Sequence, residues 1–220
     1  MSCDSLRKRL EARLDPVASW TPERTATRSD YDLNPGAARP ARELRPAAVL
    51  IPIIMHDDGP TVLMTRRSDS LASHTGQIAF PGGRLDPGET AGQAALREAF
   101  EEVALDPGVV ELLGLGDPYE TGTGFLVTPV VGWLRSPPQV APSPDEVAEV
   151  FEVPWDFLMD PVNHRRDFYD PEGAPRRWFW AMPFEDRYIW GVTAGILKGL
   201  FGRLYGDEVE PLSAAAEDAA

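Results

Sequence analysis

Cysteine is almost absent: Cys3 is the single one in 220 residues. One cysteine excludes an intrachain disulfide framework, which fits a reducing compartment. Long apolar runs are missing too. The longest, residues 47–55, falls far short of the roughly 20 residues needed to cross a bilayer. Residues 1–14 alternate charged and apolar groups and do not read as a signal peptide. The expectation is a soluble cytoplasmic protein with no membrane partner. Lysine is scarce, with only Lys8 and Lys198, and acidic residues outnumber basic ones 35 to 21, for a formal charge of −14. That balance excludes a general electrostatic footprint for nucleic acid. A polyanionic ligand would need cations supplied locally, as metal ions or clustered arginines.

Hydrophobic residues make up 43 % of the chain, enough for a sizeable core. The length suits one domain with extensions. Leu6, Leu10 and Leu14 recur every four residues and predict an amphipathic helix over 5–17. A polar, Pro-containing stretch over 21–46 reads as an extended arm lying on the domain, or as a free linker. Ala48–Met55 and Thr61–Arg66 predict a β-hairpin across the Asp58-Gly59-Pro60 turn. Strands are expected at 77–80, 109–115, 124–134 and 177–183. Helices are expected over 90–105, 154–160 and 190–204, with Pro154 suited to a first turn. The chain divides into a helix and extended arm at 1–45, a main domain at 46–205, and an acidic, disordered tail at 206–220. Strands interleaved with helices give an α/β layered class.

Residues 83–105, GRLDPGETAGQAALREAFEEVAL, carry the chemistry. Thr90 is placed to cap a helix, and Glu89 lies where the helix dipole favours an anion. Glu98, Glu101 and Glu102 are spaced i, i+3, i+4, so their carboxylates share one helix face within a turn. Such crowding of like charge is destabilising unless cations neutralise it, and oxygen-only ligands suit hard divalent ions. Ala95, Ala99 and Val103 form a small apolar stripe on the opposite side, fit to pack on a sheet. Arg97, four residues before Glu101, can hold that carboxylate. Gly82-Gly83 allows a tight turn that brings a carbonyl near the metals. The bland alternative is a solvated Glu-rich face, and the helix alone does not separate the two.

The whole string separates them. Gly83, Glu89, Arg97-Glu98-Ala99, Glu101-Glu102 and Leu105, at this spacing, resemble the Nudix box. One position departs: the family usually has Gly where this chain has Ala104, and a slightly altered helix end is expected there. The preceding stretch, Leu63-Met64-Thr65-Arg66-Arg67-Ser68, Leu71, His74, Gly76-Gln77 and Phe80-Pro81-Gly82-Gly83, looks like the additional signature of the coenzyme A pyrophosphatase branch. Residues 29–35, 123–131, 146–151 and 189–194 are similar to that branch as well, so the resemblance runs from about Ser29 to Leu200.

The resemblance implies a Nudix-type α/β/α sandwich around a mixed sheet. It implies Mg2+ or Mn2+ held by Glu98, Glu101 and Glu102, with the Gly82 or Gly83 carbonyl completing the sphere. Glu98 would also be placed to activate water, and Glu89 would either position the box through Arg97 or touch a metal through water. The general base stays open between Glu98 and a downstream loop acid, Glu146 or Glu120, with Glu120 favoured as an ordinary surface acid. The substrate implied is coenzyme A or an acyl derivative, cleaved to 3′,5′-ADP and 4′-phosphopantetheine. Its 3′-phosphate needs a cationic pocket, for which Arg66, Arg67, His74 and Arg84 are candidates. Strand alternation lets only one of Arg66 and Arg67 face the ligand. The Arg165-Arg166 and Arg176-Arg177 pairs read as a solvated loop rather than a lid, and Trp155, Trp178, Trp180 and Trp190 as core. Other readings are a Nudix enzyme for ADP-ribose, NADH or a nucleoside triphosphate, and a non-catalytic Nudix-fold nucleotide binder. The arm either covers the core edge or supplies contacts of a homodimer.

Overall fold

The computed structural model describes residues 3–68 and 76–206. Its elements run α1 (Cys3–Arg13), β1 (Arg28–Ser29), β2 (Arg45–His56), β3 (Gly59–Arg67), β4 (Ile78–Ala79), β5 (Gly82–Arg84) and α2 (Ala91–Val103). There follow β6 (Glu111–Leu115), β7 (Tyr119–Glu120), β8 (Phe125–Leu134), β9 (Val147–Pro154), α3 (Trp155–Leu158), β10 (Arg165–Tyr169), β11 (Arg177–Phe184), β12 (Arg187–Trp190) and α4 (Val192–Tyr205).

The apolar run of β2 is central because it is fully flanked. It pairs parallel with β8 from Arg45↔Phe125 to Ile54↔Leu134, and antiparallel with β3 across a two-residue turn, with His56 opposite Gly59. Parallel pairing buries both faces and explains why β2 and β8 read as continuous hydrophobic runs rather than alternating ones. The main sheet is mixed, in the order β1-β7-β8-β2-β3-β4, with β5 on β2, β6 on β8 and β9 on β3. β10, β11 and β12 form a separate antiparallel sheet.

Helices cover both faces. Ala91, Ala94, Ala95, Ala99 and Val103 of α2 pack with Ala48, Leu50, Ile54 and Leu63 on one side. Leu6 and Leu10 of α1, Trp155 of α3, and Ala194, Leu197 and Leu200 of α4 pack with Ile51, Ile53, Val62 and Met64 on the other. The result is an α/β/α sandwich. Small residues on α2 let it approach the sheet closely, and α2 contributes the acidic face that points along the sheet's end.

Several boundaries differ from the sequence reading. The first helix spans Cys3–Arg13 and stops short of Pro16, which takes extended backbone. The arm is no free linker: β1 pairs parallel with β7, and Asn34 exchanges two hydrogen bonds with the Trp178 backbone at 2.8 and 2.9 Å. Trp190 ends β12 instead of starting the last helix. β9, β10 and β12 were absent from the strand list, and Arg165, Arg166 and Arg177 lie in strands rather than in a solvated loop. Arg176 is held by Asp170 and stacked on Phe168. Of the expected tail at 206–220 only Gly206 is described; the rest of it and His74 lie outside the described residues. Among the described residues no helix is long and apolar enough to cross a membrane.

Candidate active site

The local sequence around α2 builds the site in a definite order. Thr90 caps the helix, accepting from the Gln93 amide while the Gln93 side chain accepts from the Thr90 amide, a reciprocal capping box. This fixes the phase of α2 and hence the direction of its acidic face. Along that face burial is graded: Glu102 is 5 % exposed, the Glu98 side chain 17 %, and that of Glu101 54 %.

Arg97 organises the outer part. Its Nε and Nη2 donate to the two Glu89 oxygens at 2.8 and 3.0 Å, a bidentate fork. Its Nη1 donates to Glu98 at 2.9 Å and Glu101 at 3.0 Å, and Nη2 also reaches the Arg84 carbonyl at 3.0 Å. One guanidinium thus ties the loop before the helix to three carboxylates and to β5. Its hydrogen bonds hold Glu89 below the usual carboxylate range.

Glycine at 82 and 83 is required by close approach. A Cβ on Gly82 would lie 2.4 Å from the Ala48 carbonyl oxygen, and one on Gly83 would lie 2.5 Å from the Glu98 carboxyl. Neither glycine has a positive φ, so the pair is required by close approach rather than by backbone conformation. The Gly82 amide donates to Glu102 at 3.2 Å. A loop then closes the site from the far side. The Ala141 and Ser143 amides donate to the Val103 and Glu102 carbonyls, satisfying the end of α2, and the Ser68 amide donates to the Glu146 carbonyl. This brings Glu146 within the field of Glu98 and Glu102.

Burial pushes the Glu102 carboxyl up to about 7, and the Glu98 and Glu146 charges add to it, while the Gly82 amide and Arg67 act against it. Glu98 is raised as well, first by burial, with Arg97 opposing and Glu101 and Glu146 assisting. Two half- to fully buried carboxylates that repel each other form a donor set suited to a hard cation. In the rotamers present, no three His, Cys, Asp or Glu side chains converge on a common point among the described residues. The reason is visible: Glu98 and Glu101 turn toward Arg97, while Glu102 turns toward Gly82. Cation binding by all three requires Glu98 and Glu101 to exchange Arg97 for the ion.

The two neighbouring arginines separate. Arg66 Nε is bound by Glu149 at 3.1 Å, and Glu149 is also bound by Arg187 at 2.5 Å, on the sheet face opposite α2. A bulge between Arg66 and Arg67 turns Arg67 toward Glu102. Arg67 is therefore the one at the carboxylates. Arg84 is exposed and lies over the Phe125 ring, 5.5 Å from its centroid. Glu120 is corrected: it is no surface acid but 7 % exposed, paired with Arg39 at 3.1 Å, and separated from β5 by β8 and β2. Trp155 is core, at 1 % exposure. The sequence reading missed Arg45, whose guanidinium stacks on Phe125, because nothing in a Pro-rich arm marks one arginine among several.

A family model described as the NUDIX domain matches residues 44–172. A Pectobacterium atrosepticum protein named "Uncharacterized Nudix hydrolase NudL" is 41 % identical over 167 residues, covering 76 % of this chain and 86 % of the relative. An Escherichia coli (strain K12 / DH10B) protein of the same name is 42 % identical over 171 residues, covering 76 % and 87 %. Among solved structures, a Nudix hydrolase from M. Smegmatis, RenU, is 25 % identical with a TM-score of 0.45, covering 52 % of this chain and 73 % of that one.

Proposed function

Because the chain belongs to the Nudix hydrolase family, we propose that it hydrolyses the diphosphate bond of coenzyme A or of an acyl-coenzyme A. The products are 3′,5′-ADP and 4′-phosphopantetheine or its acyl form. One observation carries the choice of branch: the separate segments that resemble it meet in pairs around the box. Residues 29–35 hold 121–125 through Asp30, which accepts from the Gly122 amide at 2.6 Å. Residues 147–151 pair with β3, and Thr193 donates to the Ile78 carbonyl at 2.9 Å. That packing of segments far apart in sequence supports reading them as one unit.

Glu98, Glu101 and Glu102, with the Gly83 carbonyl, are the residues that would hold Mg2+ or Mn2+. When bound, such ions neutralise diphosphate oxygens and lower the pKa of a bound water. The chain's own groups do the rest. Glu98 accepts the water proton. Glu146 is the second candidate for that proton. Arg97 anchors the loop before α2 through its fork on Glu89, and Arg67 and Arg84 offer positive charge to the phosphates. Water adds across one P–O bond, and each product leaves as a phosphate monoester.

The test is turnover of coenzyme A, ADP-ribose, NADH and 8-oxo-dGTP with Mg2+ or Mn2+, with products resolved by chromatography. Release of 3′,5′-ADP from coenzyme A should exceed the other turnovers and stop with a chelator. Glu98→Gln should reduce it by about 100-fold or more, the usual scale for a lost general base. Faster cleavage of another panel member discards coenzyme A and keeps the hydrolase. No turnover of any, with nucleotide still bound, favours a binding protein.

A further inference from the structure

In a chain of net charge −14, three arginines converge around one half-buried ring. The Arg45 guanidinium lies 3.9 Å from the Phe125 centroid, and that of Arg84 5.5 Å. Arg42 joins them through the adjoining loop. It donates to the Gly122 carbonyl at 2.7 Å and lies so close to Gly124 that a Cβ there would come within 2.7 Å of its guanidinium carbon. Gly124 has a φ of +89°, so only glycine suits both the backbone and the contact. Arg45 donates to the Thr123 carbonyl at 3.1 Å. The loop is further pinned by Asp30, which accepts from the Gly122 amide.

These arginines differ from the others near the site. Arg39, Arg66, Arg97 and Arg187 are each bound to a carboxylate. Arg42, Arg45 and Arg84 are exposed, and none of them forms an ion pair among the described residues. Each guanidinium has five donors, and the loop carbonyls engage one each of Arg42 and Arg45. The remaining donors meet no carboxylate among the described residues. Arg84 directly follows Gly83, which touches Glu98. On β5, therefore, the carboxylates lie on the α2 side and the arginines on the other, one residue further on.

We propose that Arg45 and Arg84, stacked on Phe125, together with Arg42 on the adjoining loop, form a subsite for a phosphate monoester on the nucleotide half of the substrate. The group it takes is carried on the ribose rather than in the diphosphate. The identification of that group as the 3′-phosphate rests on the coenzyme A reading above. The subsite itself requires only a dianionic monoester carried by a nucleotide, and forked guanidinium donors are the residue type that matches it.

Binding of 3′,5′-ADP and 5′-AMP to the metal-free protein, measured by calorimetry, isolates the extra phosphate. The wild-type chain should prefer 3′,5′-ADP by about 10–100-fold, the scale of charge-assisted hydrogen bonds. Arg45→Gln and Arg84→Gln should each remove most of that preference, and Phe125→Leu should reduce it while leaving every charge. Equal wild-type affinity for the two nucleotides, or a preference intact in both arginine variants, overturns the subsite. If the preference collapses in the variants while coenzyme A is not hydrolysed, the subsite stands and the substrate reading falls. If coenzyme A is hydrolysed and the preference ignores the variants, the reverse holds.

Discussion

Ala104 is where one residue's local chemistry opposes the fold. It follows α2 with φ 53° and ψ 28°, the left-handed conformation. A Cβ there meets the neighbouring carbonyl and costs on the order of 1 kcal/mol relative to glycine. The family's usual Gly avoids that cost, so Ala104 is not merely a mild change of helix end. The turn is kept because Leu105, at 1 % exposure, must enter the core, and because the Ala104 amide still reaches the Phe100 carbonyl at 2.9 Å. Ala104→Gly should therefore raise stability by about 0.5–1 kcal/mol, visible as a higher urea midpoint at unchanged slope. A lower midpoint would show that the left-handed backbone is not strained by the side chain. Arg97 is the opposite case, a residue in full agreement with its surroundings, since each of its charged contacts also positions a group of the site.

At the scale of elements, His164 joins the turn after α3 to β10 and packs under α4. It is 1 % exposed, its Nε2 lies 2.7 Å from the Leu158 carbonyl, and its ring meets Phe201 edge-on at 5.0 Å. Burial lowers its proton affinity, and the Lys198 charge adds to this. With its proton affinity lowered, the neutral ring is the favoured form above pH 6.5, with Nε2–H as donor to Leu158. Below pH 6.5 the unfolded chain binds a proton that the folded chain resists. Stability is intact above that pH and declines as pH falls through the lower folded value. His164→Gln keeps a donor without titrating, so it should lose less stability than the parent between pH 7.5 and 5.5 in urea titrations. Equal losses in the two proteins would count against this origin. Elements such as these were also the hardest to foresee. β2, β3, α2 and β8 were legible because each carries a strong apolar pattern and a clear stop. β10 and β12 have mixed charged and aromatic sequences, and their stability comes from partners such as Phe168↔Trp178 and Met182↔Ile189 rather than from local pattern. The site divides the same way. The acidic helix face was readable from spacing, whereas the choice between Arg66 and Arg67 depends on Glu149, 83 residues away.

At the scale of the whole molecule, the N-terminal helix is part of the main core. Leu6 and Leu10 are fully buried in the same cluster as Ile51, Val131, Leu197 and Leu204. Leu10→Ala should cost about 2–5 kcal/mol, the range for a large-to-small change in a packed core, measured by denaturant unfolding. A loss below 0.5 kcal/mol, within the range typical of surface substitutions, would show that α1 is only loosely attached. The same helix is tied to α4: Arg9 donates to the Leu204 carbonyl at 3.3 Å and stacks on Tyr205, and Arg203 binds Asp15 and Asp117. That junction has a consequence for synthesis. On the ribosome, residues 3–13 emerge well before residues 192–205 and meet their α4 partners only after those have cleared the exit tunnel, so this part of the core is completed late in synthesis. Until then the part of the sheet's apolar face that α4 covers stays exposed on the nascent chain.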